Sequence, residues 1–193
     1  MTRKEQKELR RMQIIQTALE LFVQQGYYGT KTSQISRKAK ISEGLLFHYF
    51  PSKEALLEEL VKIGVEGMRM PFGIDAKDGL DYFRQFTCML FQYLQEVPFM
   101  AHMFVFMAHV ARAQDIPERI RKLAVSVDTI ENSQKMIVMG QMDGSIREGA
   151  PLTLSNMYWC AIHGMAEQYS MRPDISLPDP EWVLAMLKRE REE

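Results

Sequence analysis

The stretch from Thr30 to Glu54, TKTSQISRKAKISEGLLFHYFPSKE, constrains the fold of this chain more than the rest combined. Its spacing predicts two short helices joined by a tight turn, followed by the start of another helix. Ile35, Ala39, Ile41 and Leu46 are placed to lock the pair together, and Ala39 is small where the helices approach. Thr32 is expected to cap a helix running through Ala39, Ser42 the next helix and Ser52 the one after. Pro51 separates the last two. A helix-turn-helix of this kind places its second helix in the major groove of duplex DNA, with residues near that helix's N-terminus at the base edges.

The flanking sequence is helical too. Met12, Ile15, Leu19 and Phe22 recur on one face of a helix over about Lys4–Gln25, with Gly26 as a left-handed stop. The helix opening at Lys53 carries Ala55, Leu56, Leu60 and Val61 on one side. The Gly/Pro-interrupted segment Gly67–Asp78 is the expected domain boundary. Helices are then expected at about Gly79–Val97, Phe99–Ala113, Pro117–Met142, Leu152–Met171 and Pro180–Arg191. No segment alternates with period two for long enough to predict a strand. The expectation is an all-α chain of about nine helices. Residues 1–52 would form an N-terminal three-helix domain with the helix-turn-helix, 53–75 a connecting helix and linker, and 76–193 a larger helical C-terminal domain for ligand binding and dimerisation.

The formal net charge of −1 hides an asymmetry. Residues 1–53 carry 10 Lys/Arg against 4 Asp/Glu, whereas the remainder carries 14 against 21. A basic head suits a polyphosphate partner and an acidic body does not. The longest apolar runs fall well short of the roughly 20 residues of a membrane span. The charged N-terminus does not resemble a secretory signal. Cys88 and Cys160 sit in apolar helical patterns without metal-site spacing, so a reduced, cytoplasmic protein is expected. His102, His109 and His163 form no tight cluster with them, and neither metal nor cofactor is expected. A Gly-rich phosphate loop, a metalloprotease helix and a nucleophile elbow are all missing, which argues against an enzyme.

On the second short helix, Glu43, Gly44, Leu45, Phe47 and His48 face outward, with Tyr49 at the edge. Gly44 lets backbone come close to DNA, Leu45 suits a thymine methyl, Glu43 a cytosine amine, and His48 a base acceptor or a phosphate. Thr32, Ser33, Tyr49 and Lys53 are placed for the sugar-phosphate backbone. Lys53 opens its helix, where free N–H groups also favour phosphate. Lys31, Arg37, Lys38 and Lys40 add a basic surround.

The runs ALELFVQQGYYGTKTSQIS and ISEGLLFHYFPSKEALL, within about residues 10–60, resemble the TetR/AcrR family of bacterial transcriptional regulators. The resemblance implies that Thr32 and Ser33 contact phosphate with a base also within reach, that Glu43, Gly44, Leu45 and His48 occupy base-reading positions, and that Phe47, Tyr49 and Lys53 clamp phosphates; Ser42, which opens the helix, completes the candidate DNA-binding set. Two departures stand out. Phe47 stands where the family usually has Tyr, and the Tyr49 hydroxyl is a candidate replacement. Lys40 stands where a turn glycine is common, which requires either a tolerated left-handed lysine or a different turn.

Thirteen of the 15 methionines lie after residue 60, together with most aromatics. Met lines adaptable surfaces well. The resemblance implies a cavity in the C-terminal domain for a small apolar or amphipathic effector. Phe86, Met89, Leu90, Tyr93, Met103, Phe104, Met107, Trp159 and His163 are candidate wall residues, although apolar residues at helical spacing also simply fill a core. The resemblance further implies a homodimer through the last two long helices, and a two-fold dimer reads two half-sites of a palindromic operator. The expected protein is a ligand-responsive repressor of double-stranded operator DNA. The alternative is a DNA-binding regulator controlled by a protein partner or by its own concentration.

Overall fold

The computed structural model describes residues 1–172 and 174–190, and among these it is all-α. The helices are α1 (Arg3–Gly29), α2 (Thr32–Lys38), α3 (Glu43–Tyr49), α4 (Lys53–Arg69), α5 (Gly79–Glu96), α6 (Pro98–Arg112), α7 (Glu118–Ala124), α8 (Thr129–Asp143), α9 (Pro151–Met171) and α10 (Pro180–Leu184), with a 3-10 turn at Met70–Gly73. The chain divides into two compact units. The first comprises Met1–Val65 with Val105–Ala124, and the second Glu66–Phe104 with the chain from Val125 onward.

In the first unit, α1 buries Ile14, Ile15, Ala18, Leu19 and Phe22, the stripe its sequence period predicts, while Met12 remains exposed. Gly26 breaks the helix with φ 73° and ψ 164°, but one further turn follows before the chain leaves at Thr30. Gly26 is therefore a kink rather than a stop. Ile35, Ala39 and Leu46 are buried between α2 and α3, and Ile41 is half-buried. Leu56, Leu57, Leu60 and Val61 close the core from α4. Met107 of α6 packs on Gly64 of α4 so closely that a Cβ there would collide with its Sδ. From α7, Arg119 forms ion pairs with Glu58 at 2.6 Å and Glu54 at 3.2 Å.

The second unit is built on α5, α8 and α9. Phe83, Tyr158 and Trp159 are fully or nearly fully buried. The polar atoms of the two largest rings have partners: Tyr158 Oη lies 2.8 Å from Thr87 Oγ1, and Trp159 Nε1 donates to Ser133 Oγ at 2.8 Å. Close helix approach depends on glycine, since a Cβ on Gly79 would overlap the Gly140 backbone.

Two helix expectations are corrected. The span expected over Pro117–Met142 is two helices, because Asp128 accepts the Glu131 amide N–H at 2.9 Å and starts α8 afresh. The helix expected over Pro180–Arg191 is five residues long; Arg191 lies outside the described residues. After Leu184 the chain turns and joins the α8–α9 loop, where the Arg147 N–H donates to the Leu187 carbonyl at 2.8 Å and Ile146 bridges Lys188. Cys88 and Cys160 are on exposed helix faces, outside the apolar stripes.

Candidate nucleic-acid interface

The turn between α2 and α3 sets the geometry of the whole motif. Lys40 takes φ 55°, a left-handed conformation that costs a non-glycine residue about 1–2 kcal/mol. The Ile41 N–H donates to the Ser36 carbonyl at 3.0 Å and the Lys40 N–H to the Arg37 carbonyl at 3.1 Å. These are the paired bonds of a Schellman motif, so the lysine adopts the turn usually given to glycine. At the other end of α2 the expected cap is displaced by one residue. Lys31 is the N-cap, its N–H donating to Gln34 Oε1 at 2.7 Å, and Thr32 is the first helical residue.

Released from capping, the Thr32 hydroxyl donates to Glu43 Oε2 at 3.3 Å. That bond joins the first residues of α2 and α3. Ser42 caps α3 as expected, accepting the Leu45 N–H at 3.1 Å. Leu46 alone of this helix is buried; Glu43, Gly44, Leu45, Phe47 and His48 are exposed and Tyr49 is half-buried. A Cβ on Gly44 would meet nothing within 4 Å, so backbone is open to an approaching surface there. Tyr49 sets its ring edge-on to His48 at 5.6 Å. Ser33 is half-buried, and its carbonyl accepts the Ser36 hydroxyl at 3.2 Å.

Lys53 is engaged inward. Its ammonium donates to the carbonyls of Tyr27 and Thr30, both at 2.8 Å, and lies 4.3 Å from the Tyr27 ring centroid. Burial lowers the Lys53 pKa from its ordinary value, and burial raises that of Tyr27, assisted by Glu54 and Tyr28. An ammonium has three N–H donors, so one remains for an outside acceptor. Of the surrounding cations, Lys38 pairs with Glu20 at 2.9 Å, while Lys31, Arg37 and Lys40 extend into solvent.

The residues considered for an effector site do not form one group. Phe86 and Trp159 lie 5.1 Å apart, Trp159 and His163 6.0 Å, and Phe104 and His163 5.6 Å, all within the second unit. Leu90 and Met103 are buried, Met89 is half-buried, and Tyr93 is 38% exposed. Met107 belongs to the first unit, against Gly64.

Residues 14–60 match the sequence model of the bacterial regulatory proteins of the tetR family. Over 50 residues the chain is 52% identical to the HTH-type transcriptional regulator HbdR of Aromatoleum sp. strain CIB, covering 26% of this chain and 22% of that protein. Over 96 residues it is 29% identical to the HTH-type transcriptional regulator BetI of Vibrio vulnificus, covering 50% and 39%. The chain thus spans well under half the length of the curated relatives it matches. The crystal structure of the MbdR regulator from Azoarcus sp. CIB superposes with a TM-score of 0.74 at 20% identity, over 92% of this chain and 94% of that one. PfmR from Thermus thermophilus, a TetR family transcriptional regulator, gives 0.66 at 20% identity over 89% and 93%. At these identities the structural likeness shows the fold.

Proposed function

We propose that the chain belongs, through residues 14–60, to the tetR family of bacterial regulatory proteins, and that it is a repressor that binds double-stranded operator DNA through α3 and releases it when a small molecule binds the second unit. The observation that carries the reading is the exposed run Glu43–His48 on a Ser42-capped helix, broken only by the buried Leu46. In this reading Glu43, Gly44, Leu45 and His48 meet base edges, while Thr32, Ser33, Phe47, Tyr49 and Lys53 hold the backbone. Phe47 contributes apolar contact in place of a hydroxyl bond.

The reading includes a two-fold dimer on a palindromic operator. The pair expected from the sequence is Leu152–Met171 with Pro180–Arg191; because α10 is only five residues long, α9 pairs with α8 in its stead. On α9, Met157 and Met171 are 42% and 60% exposed and share a face, by their seven-residue spacing, with the exposed Gly164, and on α8 Val138 is 42% exposed; these are the apolar positions the dimer reading uses. The effector is a small apolar or amphipathic molecule held near Phe86, Phe104, Trp159 and His163. It acts by linkage: a ligand that weakens operator affinity by some factor is itself weakened by operator to the same extent. No helix among the described residues is long and apolar enough to cross a membrane.

Selection of bound duplexes from a random pool, repeated with cell extract present, tests this. The expected result is an inverted repeat, lost on adding extract. A protein that enriches no sequence at low ionic strength overturns the DNA-binding reading, and an operator that no small molecule releases overturns the effector.

A further inference from the structure

The first unit contains a cleft that the DNA-reading face leaves unused. Phe22 and Phe106 stack at 6.3 Å with their planes 18° apart, and Tyr27 meets Phe22 edge-on at 5.5 Å. Val110 and Ile116, both buried, extend this apolar floor, and the cleft, which is partly open to solvent, has a volume of about 350 Å³. That volume lies at the small end of ligand pockets, which run from roughly 300 to 1,000 Å³. Gly26 widens the cleft, because no heavy atom lies within 4 Å of where its Cβ would be. The Tyr28 hydroxyl donates to the Asp115 carbonyl at 2.5 Å and pins one end.

The mouth is polar. His109, Arg112 and Asp115 line it and are exposed. Among the described residues neither His109 nor Arg112 forms an ion pair. The Lys53 ammonium, 4.3 Å from the Tyr27 ring centroid, adds positive potential nearby. A guanidinium presents a planar fork that matches a carboxylate. Asp115 is the one acidic group of the lining and disfavours a second negative charge on a ligand.

From this we infer that the cleft binds a small monocarboxylate with an aromatic or short acyl body, the body on Phe22 and Phe106 and the carboxylate on Arg112. The site is separate from the effector site proposed for the second unit. Its occupancy can be measured on the free protein, without DNA.

Full-length protein titrated with benzoate and with hexanoate, followed by the NMR signals of the His109 imidazole and the Trp159 indole, tests the assignment. Both acids should shift His109 saturably, with Trp159 unmoved over the same range, and benzylamine should not. Arg112→Gln, at an exposed helix end, should weaken benzoate about tenfold or more. Asp115→Asn should tighten it several-fold by removing a like charge. The assignment is overturned if neither acid shifts His109, if Trp159 responds in its place, if Arg112→Gln binds as wild type, or if benzylamine is preferred and Asp115→Asn weakens binding. Each result is independent of operator binding: a protein that ignores DNA still titrates, and one that fails to titrate still enriches its operator.

Discussion

The Lys53 ammonium ties the Tyr27 and Thr30 carbonyls together at 2.8 Å each and sits against the Tyr27 ring. Lys53 begins α4, and the two carbonyls belong to the end of α1 and the link to α2. One side chain thus fixes where the helix pair starts relative to the helix that follows it. The Lys53→Met variant removes the donor while keeping the stem. It should lose about 1–3 kcal/mol of stability, the cost of leaving the Thr30 carbonyl unpaired, since the Tyr27 carbonyl still accepts the Thr30 N–H at 3.4 Å. If the third N–H reaches phosphate, the salt dependence of operator binding should also fall by about one phosphate contact. Chemical denaturation and a salt titration of binding separate the two. A lowered stability with unchanged salt slope would confine Lys53 to a structural role.

Lys40 holds the turn at a conformational cost, with φ 55°. Lys40→Gly should raise stability by about 1 kcal/mol, the relief of left-handed strain less the greater freedom of glycine in the unfolded chain. Thermal unfolding checks this. A fall in stability would mean that the lysine stem contributes packing that outweighs the strain.

The bond from Thr32 to Glu43 predicts a change in DNA preference without loss of fold. Thr32→Val keeps the shape of the side chain and removes the donor, so the Glu43 carboxylate is no longer held over the start of α3. Stability should change by about 1 kcal/mol or less for an exposed hydrogen bond. The base preferred opposite Glu43 should broaden in duplex selection, as it should in Glu43→Gln. His48→Ala should relax preference at a different position. A Thr32→Val protein with wild-type preference would show that Glu43 needs no such support.

Much of this head was legible because its signals are local. Ser42 and Ser52 cap where a serine before an apolar stretch should, and Leu46 and Ile35 turn inward by period alone. The partners of Lys53 were not legible, because Tyr27 and Thr30 are brought to it only by the fold, across more than 20 residues. The shift of the α2 cap from Thr32 to Lys31 depended on Gln34 reaching back, a capping-box signal that the polar stretch Thr30–Ser33 obscured. In the second unit the break before α8 lacks Gly or Pro, and only Asp128 marks it. The shortness of α10 has no signal in the sequence, because its tail is held by backbone bonds to the α8–α9 loop, which carry no side-chain signature. Met107 has the residue type of a cavity wall, but its packing on Gly64 was invisible to periodicity.

Asp143 makes the second unit sensitive to acid. Its carboxylate accepts the Gly79 N–H at 3.0 Å and the Ser145 N–H at 2.8 Å, joining the start of α5 to the end of α8. Burial pushes its pKa up, but the bonds from Ser145 and Gly79 outweigh that and hold it below the ordinary carboxylate value. A carboxyl whose pKa is lower folded than unfolded stabilises the protein above its unfolded pKa, near 3.9 for Asp. That contribution disappears as pH falls through the folded value. Asp143→Asn should therefore cost roughly 1 kcal/mol or less at pH 7, since the group is largely solvated and screened. The difference from wild type should shrink below about pH 4, as the native carboxyl itself becomes neutral. Denaturation midpoints of both proteins between neutral pH and about pH 3 measure this. A constant gap across that range would show that the Asp143 charge contributes nothing to the junction of α5 with α8.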